Sequence, residues 1–188
     1  MEKYTANCKA HRKGMAPEEV AEYYTTWAEN QQYDLLSKYG FISIDGVDPA
    51  EGMLKQCQTS QIYTNLYKEF VCDKPLPIAE GTYDCAVCSG GFGEGHIPCS
   101  GLQEMARIVK SGGLVIFVMR KEYMKDVEEY ANKLEPMISR LEHEHTWELL
   151  ERREVSNYSF NKDGVIFKLR IKRGGHAMNN AANGTERA

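Results

Sequence analysis

Leu114 to Met119 reads LVIFVM, an unbroken apolar run made mostly of β-branched and aromatic residues. It has no polar side to turn toward water, so it predicts a strand covered on both faces, as in the middle of a parallel sheet. Parallel neighbours must be joined by a crossover, usually a helix, which places the chain in the α/β class. The preceding segment supplies both parts. Tyr83 to Cys88, YDCAVC, is a short apolar strand opening onto the loop SGGFGEGHIP. A helix carrying Leu102, Met105, Ile108 and Val109 follows, with Ser100 and Gln103 spaced as a capping box and Gly112-Gly113 as its stop.

A second strand-to-helix corner lies at FISIDGVDPAEGML, residues 41–54. Phe41, Ile42, Ile44 and Val47 are β-prone, and Pro49 and Glu51 suit the first turn of a helix bearing Met53, Leu54 and Cys57. Asp48 therefore stands at the carboxyl end of a parallel strand. Ligands bind at that edge of open α/β sheets, and a carboxylate there can take both hydroxyls of a nucleoside ribose. It can equally cap the helix that follows.

Elsewhere the pattern is plainer. Residues 1–15 lack periodicity; a helix is expected from Pro17 with Val20, Tyr23, Tyr24 and Trp27 on one face, the polar run Glu29 to Gln32 interrupts that face, and a second apolar set, Leu35, Leu36 and Tyr39, ends at Gly40. Ile62 to Cys72 is a poor strand. Tyr123, Val127, Tyr130, Leu134, Met137 and Leu141 predict one long helix that Pro136 kinks. Trp147 to Tyr158 and Gly164 to Arg173 predict an antiparallel hairpin turning at Asn161 to Gly164, with Val165, Phe167, Leu169 and Ile171 on its buried side. The expected organisation is a helical lead-in over 1–40, a single α/β domain over 41–173 and a disordered tail over 174–188.

Composition excludes little and directs little. A net charge of −4 across 188 residues gives no field that would gather nucleic acid or an anionic membrane. No apolar run reaches the roughly 18 residues that span a bilayer. The start is too polar for a signal peptide, so a cytoplasmic protein with reduced cysteines is expected. Cys85, Cys88, His96 and Cys99 have zinc-like spacing, yet Cys85 and Cys88 fall within one strand, where positions three apart face opposite ways; no metal is expected. His96, in the loop after YDCAVC, is the candidate general base, with Glu94 a weaker one.

Taken together, strand, acidic corner, helix, YD strand, KSGG-ended helix, apolar strand, long helix and hairpin resemble a class I S-adenosylmethionine-dependent methyltransferase. The likeness covers residues 41–173 and is nearest to the methyltransferase-like proteins related to the Williams-Beuren region product. Those proteins carry segments similar to GVDPAEGML, KPLPIAEGTYDCAVC, GHIP and KSGGLVIFVMR, and YYTTWAENQQYD resembles their lead-in helix. The resemblance implies a Rossmann-like, mostly parallel sheet with a C-terminal antiparallel hairpin and S-adenosyl-L-methionine as cofactor. It also implies that Asp48 holds the ribose and Met53 lies against the adenine, with Cys72 and Asp73 at the adenine's edge. Ser89 and Gly90 would face the methionine part, and Tyr24 and Trp27 would close the pocket. His96 would serve an acceptor that is a small molecule or a protein.

One element of the family is missing. Its glycine-rich strand-to-helix turn, with the first central strand, belongs between Asp34 and Leu35, and Gly14 and Gly40 are the only glycines before Gly46. The shortfall is roughly 45 residues, about one strand-helix unit with its approach helix. A truncated or alternatively spliced product would look like this, as would an incomplete gene model. With the middle strand gone, direct pairing of the 41–47 and 83–88 strands is expected, because unpaired central backbone groups are costly. A nicotinamide-dependent dehydrogenase would need a G-x-G-x-x-G some 20 residues ahead of Asp48, and none exists. The remaining alternative is a methyltransferase fold retained as a non-enzymatic interaction surface.

Overall fold

The computed structural model describes residue 41 and residues 43–172. The helical lead-in expected over 1–40, with Tyr24 and Trp27, and the tail expected over 174–188 lie outside the described residues. In chain order the elements are β1 (Asp45–Val47), α1 (Glu51–Ser60), β2 (Asn65–Tyr67), β3 (Tyr83–Ser89), α2 (Gly101–Ile108), β4 (Val109–Arg120), α3 (Tyr123–Asp126), α4 (Leu134–His143), β5 (Trp147–Ser159) and β6 (Lys162–Ile171).

The strands form two sheets, a parallel pair β1-β2 and a four-stranded sheet in the order β3-β4-β6-β5. β3 runs parallel to β4, while β6 is antiparallel to both β4 and β5. This is the Rossmann-like arrangement with its C-terminal hairpin. Direct pairing of β1 with β3 is not observed: β1 takes β2 as its neighbour, in register from Asp45 opposite Asn65 to Val47 opposite Tyr67. Side chains set the spacing instead. Val47 and Tyr67 pack against the main core, and the Tyr83 hydroxyl donates to Asp45 Oδ2 at 2.6 Å across the gap. Val87, in mid-strand on β3, is 53% exposed, so that face of β3 is not covered there.

The main core lies where β4, β6, α2 and α4 meet. Val115, Phe117 and Met119 alternate inward and are fully buried, as are Val165 and Leu169 across the β4–β6 ladder. Leu114, Ile116 and Val118 are only half-buried, so the apolar run is covered more completely on one face than on the other. Phe117 stacks on Phe167 with centroids 4.9 Å apart. Trp147 is 1% exposed, and its indole N–H donates to the Ile138 carbonyl at 3.1 Å. The Glu104 carboxylate, buried on α2, accepts from Arg107 and from the Leu76 amide at 2.7 Å, fastening the segment that leads into β3.

Four local expectations are corrected. Ser100 is itself helical and its hydroxyl caps nothing; the amides of Gly101 and Leu102 go to the carbonyls of Pro98 and Cys99 at 2.9 and 3.1 Å, which leaves a capping box no task. Gly112-Gly113 does not stop α2, which ends at Ile108; it forms an irregularity within β4, where Gly112 has φ +82 and a Cβ on Gly113 would stand 2.6 Å from the Asp84 carbonyl. The long helix is two, α3 and α4, parted at 127–133 and not kinked at Pro136. Pro136 sits in the first turn of α4, where a missing N–H costs nothing. The hairpin turns at Phe160-Asn161, both left-handed with φ of 50 and 59, as a two-residue type I′ connection requires.

Candidate active site

Two strand ends define the site. Tyr83 and Asp45, the first residues of β3 and β1, are hydrogen-bonded. At the other ends, the Asp48 carboxylate is near enough to help raise the Cys88 thiol, whose pKa is pushed up to about 11 mainly by burial. The two strands therefore point the same way, and their carboxyl ends share one edge of the molecule.

Asp48 follows β1 directly. Its Oδ1 accepts the Ala50 amide at 2.7 Å, so it turns the chain into α1 as a capping residue would. Burial raises its pKa and the Ala50 amide pulls the other way by less. A carboxylate in that position gains from a ligand hydroxyl that restores part of its lost solvation. The two sequence readings of Asp48 are thus compatible, since an oxygen that turns the chain does not preclude the carboxylate from also meeting a ligand.

The loop after β3 is rigidly made. Gly90 has φ +76, and a Cβ on Gly91 would lie 2.4 Å from the Cys88 sulfur, so the backbone folds tightly over that thiol. Phe92 is driven into the core, 4.7 Å from the Phe117 ring. The buried Tyr130 hydroxyl ties the loop from beneath, accepting the Gly93 amide at 2.9 Å and donating to the Ile97 carbonyl at 2.7 Å. His96 Nδ1 is 2.7 Å from the Glu94 carbonyl, which can only accept. The proton therefore sits on Nδ1, and Nε2 carries the lone pair. Burial lowers the His96 pKa, with the Glu94 contact opposing, so the ring is neutral at physiological pH.

Ser89 and Gly90 are exposed at this edge, and Met53 faces inward from α1 at 7% exposure. Cys72 is half-buried and Asp73 exposed, in the segment after β2 that approaches the start of α2: the Val71 carbonyl lies 2.8 Å from where a Gly101 Cβ would be. Asp48, Met53, Cys72, Asp73, Ser89, Gly90 and His96 thus all belong to the β1, β2 and β3 ends or the helices that start there. The described residues bring no three His, Cys, Asp or Glu side chains together in a way that could hold a metal. A hollow of about 530 Å3 lined by Lys125, Asn132, Glu135 and Arg152 lies elsewhere, beside α4.

Sequence reasoning missed three tyrosines. Tyr83 and Tyr130 read as apolar positions in a strand and a helix, and nothing in the periodicity shows where a hydroxyl points. Tyr158 read as the end of a strand; its hydroxyl lies 3.3 Å from Ser89 Oγ.

Residues 28–117 match the family described as methyltransferase domain. Methyltransferase-like protein 27 of Homo sapiens is 35% identical over 109 residues, which is 58% of this chain and 43% of that protein. Over that stretch the chain is similar to methyltransferase-domain proteins. It spans less than half the length of that curated relative. Solved structures share the fold at much lower identity. A 16S rRNA (adenine(1408)-N(1))-methyltransferase variant from Catenulisporales acidiphilia is 12% identical with a TM-score of 0.54, over 91% of this chain and 90% of that one. A SAM-dependent methyltransferase from Methanosarcina mazei is 12% identical with a TM-score of 0.52, over 73% of this chain and 85% of that one. No described helix is long and apolar enough to cross a membrane.

Proposed function

We propose that this methyltransferase-fold chain holds S-adenosylmethionine mainly by its nucleoside end and transfers methyl groups poorly or not at all. The observation that carries the reading is the shared edge: Asp48 at the end of β1, with a partly desolvated carboxylate, and the Ser89-Gly90 corner at the end of β3. Their chemistry fits the cofactor in part. Asp48 offers a carboxylate acceptor to ribose hydroxyls, Met53 and Cys72 offer apolar contact beside it, and Ser89 and Gly90 offer a small polar rim toward the methionine part. What the methionine end lacks is backbone contact, because the glycine-rich turn that would bring backbone amides there is absent from the sequence.

When bound, the cofactor supplies a sulfonium methyl to a nucleophile. The chain's own contribution would be placement: Phe92 and Tyr130 hold the loop Gly93 to Ile97 in one shape, and His96 in that loop would serve as the general base toward an acceptor. Tyr24 and Trp27 would cover the pocket. Losing several backbone contacts at about 1 kcal/mol each costs two or more powers of ten in affinity. A misplacement of about 1 Å costs about a hundredfold in rate. The acceptor is a small molecule or a protein, and because an rRNA methyltransferase shares the fold, a nucleic acid stands beside them.

A second reading is favoured by the exposed Val87 on β3: the fold serves as a cytoplasmic interaction protein with no catalysis. Calorimetric titration with S-adenosylmethionine and S-adenosylhomocysteine separates the two. Weak binding lost in Asp48→Ala supports the first; no binding of either ligand supports the second. Micromolar affinity with steady turnover by the 188-residue chain would overturn both.

A further inference from the structure

The last strands contain a device that the family likeness does not explain. β5 and β6 pair from Val155 opposite Gly164 and again from Ser159 opposite Lys162, so residues 156–158 on β5 face Asp163 alone on β6. Asn157 takes a left-handed φ of 57, and its amide reaches the Asp163 carboxylate at 3.3 Å. A bulge of this kind re-aims a side chain. Here it turns Tyr158 inward over Gly164, where any Cβ would stand 2.7 Å from the Tyr158 Cβ and Cγ. Glycine at 164 is what lets the ring lie there.

From that position the ring reaches from the outermost strand back to the ends of β4 and β3. Its hydroxyl is 3.4 Å from the Val118 carbonyl and 3.3 Å from Ser89 Oγ, and would be 3.7 Å from a Cβ on Gly90. Val118 O also receives the Gly90 amide at 3.3 Å. All three contacts are long, and Ser89 is exposed, so the tyrosine O–H gives up little when it turns its proton to a better acceptor. An anionic oxygen is such an acceptor.

We propose that Tyr158, with Ser89, is this chain's polar contact for the amino-acid end of the cofactor, donating its O–H to the carboxylate there. The proposal rests on the reading that Ser89 and Gly90 face that end. It gives the bulge and Gly164 a purpose, and it puts a side-chain donor where backbone donors are lacking.

The test is calorimetry on the full chain with two probes, S-adenosylhomocysteine and 5′-methylthioadenosine, which lacks the amino-acid end. Tyr158→Phe keeps the ring on Gly164 and removes only the hydroxyl. It is expected to weaken S-adenosylhomocysteine about tenfold, the effect of one hydrogen bond to a charged group, and to leave 5′-methylthioadenosine unchanged. Ser89→Ala, whose fold does not depend on Tyr158, is expected to show the same selectivity with a smaller loss. Equal losses for both probes, or none for either, overturn the proposal and leave the nucleoside reading standing. A wild-type chain that binds only 5′-methylthioadenosine does the same. Binding of neither probe removes both readings together.

Discussion

Tyr83 Oη donates to Asp45 Oδ2 at 2.6 Å, joining the first residues of two strands that belong to different sheets. Asp45 also accepts from the Asn65 amide at 2.9 Å, so one carboxylate links β1, β2 and β3. Burial and the Asp45 carboxylate both raise the Tyr83 pKa, which keeps the phenol a donor throughout the working range.

Tyr83→Phe is therefore expected to loosen the smaller sheet by about 1.5–3 kcal/mol, the range for a hydrogen bond to a charged group. Amide exchange of Gly46, Val47 and Leu66 should speed up while that of Val115 and Phe117 stays as it was. A uniform change through both sheets would show that the bond is not the link.

Asp48 costs the fold stability at neutral pH. Burial raises its pKa above the ordinary 3.8, so the folded chain holds the proton more tightly than the unfolded one. The stability this contributes is complete below 3.8 and is lost as pH rises through the folded value. At neutral pH, Asp48→Asn keeps an acceptor for Ala50 and removes the desolvated charge, so the melting temperature should rise; in acid the gain should vanish. Asp48→Ala should cost any surviving S-adenosylhomocysteine binding about 1–3 kcal/mol. Unchanged affinity takes Asp48 out of the site.

His96 gives a second pH signature of opposite sense. Its pKa is lowered by burial, against the Glu94 contact, so stability is full above the unfolded value of 6.5 and falls away below it. Proton titration followed by NMR should place the His96 midpoint below 6.5, and His96→Gln should flatten stability across that window. A midpoint at or above 6.5 would mean the ring is solvated and the loop more open than described.

Tyr130→Phe should leave the Gly93 amide and the Ile97 carbonyl without their buried partner, at about 1–3 kcal/mol for each orphaned group. Urea denaturation measures the total. A loss below about 0.5 kcal/mol, the usual scatter of a surface substitution, would mean that Phe92 alone fixes the loop.

How much of this was legible in the sequence depends on what each residue's role rests on. LVIFVM announced its strand because an apolar, β-prone run shows in its composition, YDCAVC did so although its residues are at most half-buried, and the hairpin's inner face, Val165, Phe167, Leu169 and Ile171, showed in its alternation. Asp48 was legible as a corner residue because strand, proline and helix surround it. The division of α3 from α4 was not, since Tyr130 and Leu134 keep helical spacing across a break that Asn132 makes with a φ of 57. Nor was the direct-pairing expectation met, because whether β1 and β3 touch depends on side chains such as Val47 and Tyr83. Tyr158 was least legible of all, as a bulge changes which way a residue points without changing what residue it is.

The two sheets also occupy separate lengths of chain, 45–67 and 83–171. Each has its strand partners within its own stretch, so their order of assembly is set by stability and not by position. A lone pair of three-residue strands is too small to persist in water. During synthesis the smaller unit emerges first yet must remain unformed until the larger sheet exists to receive Val47, Tyr67 and Asp45. The amino-terminal part of the described chain is then the last to fold, and the edge that would carry Asp48 is completed only at that final docking.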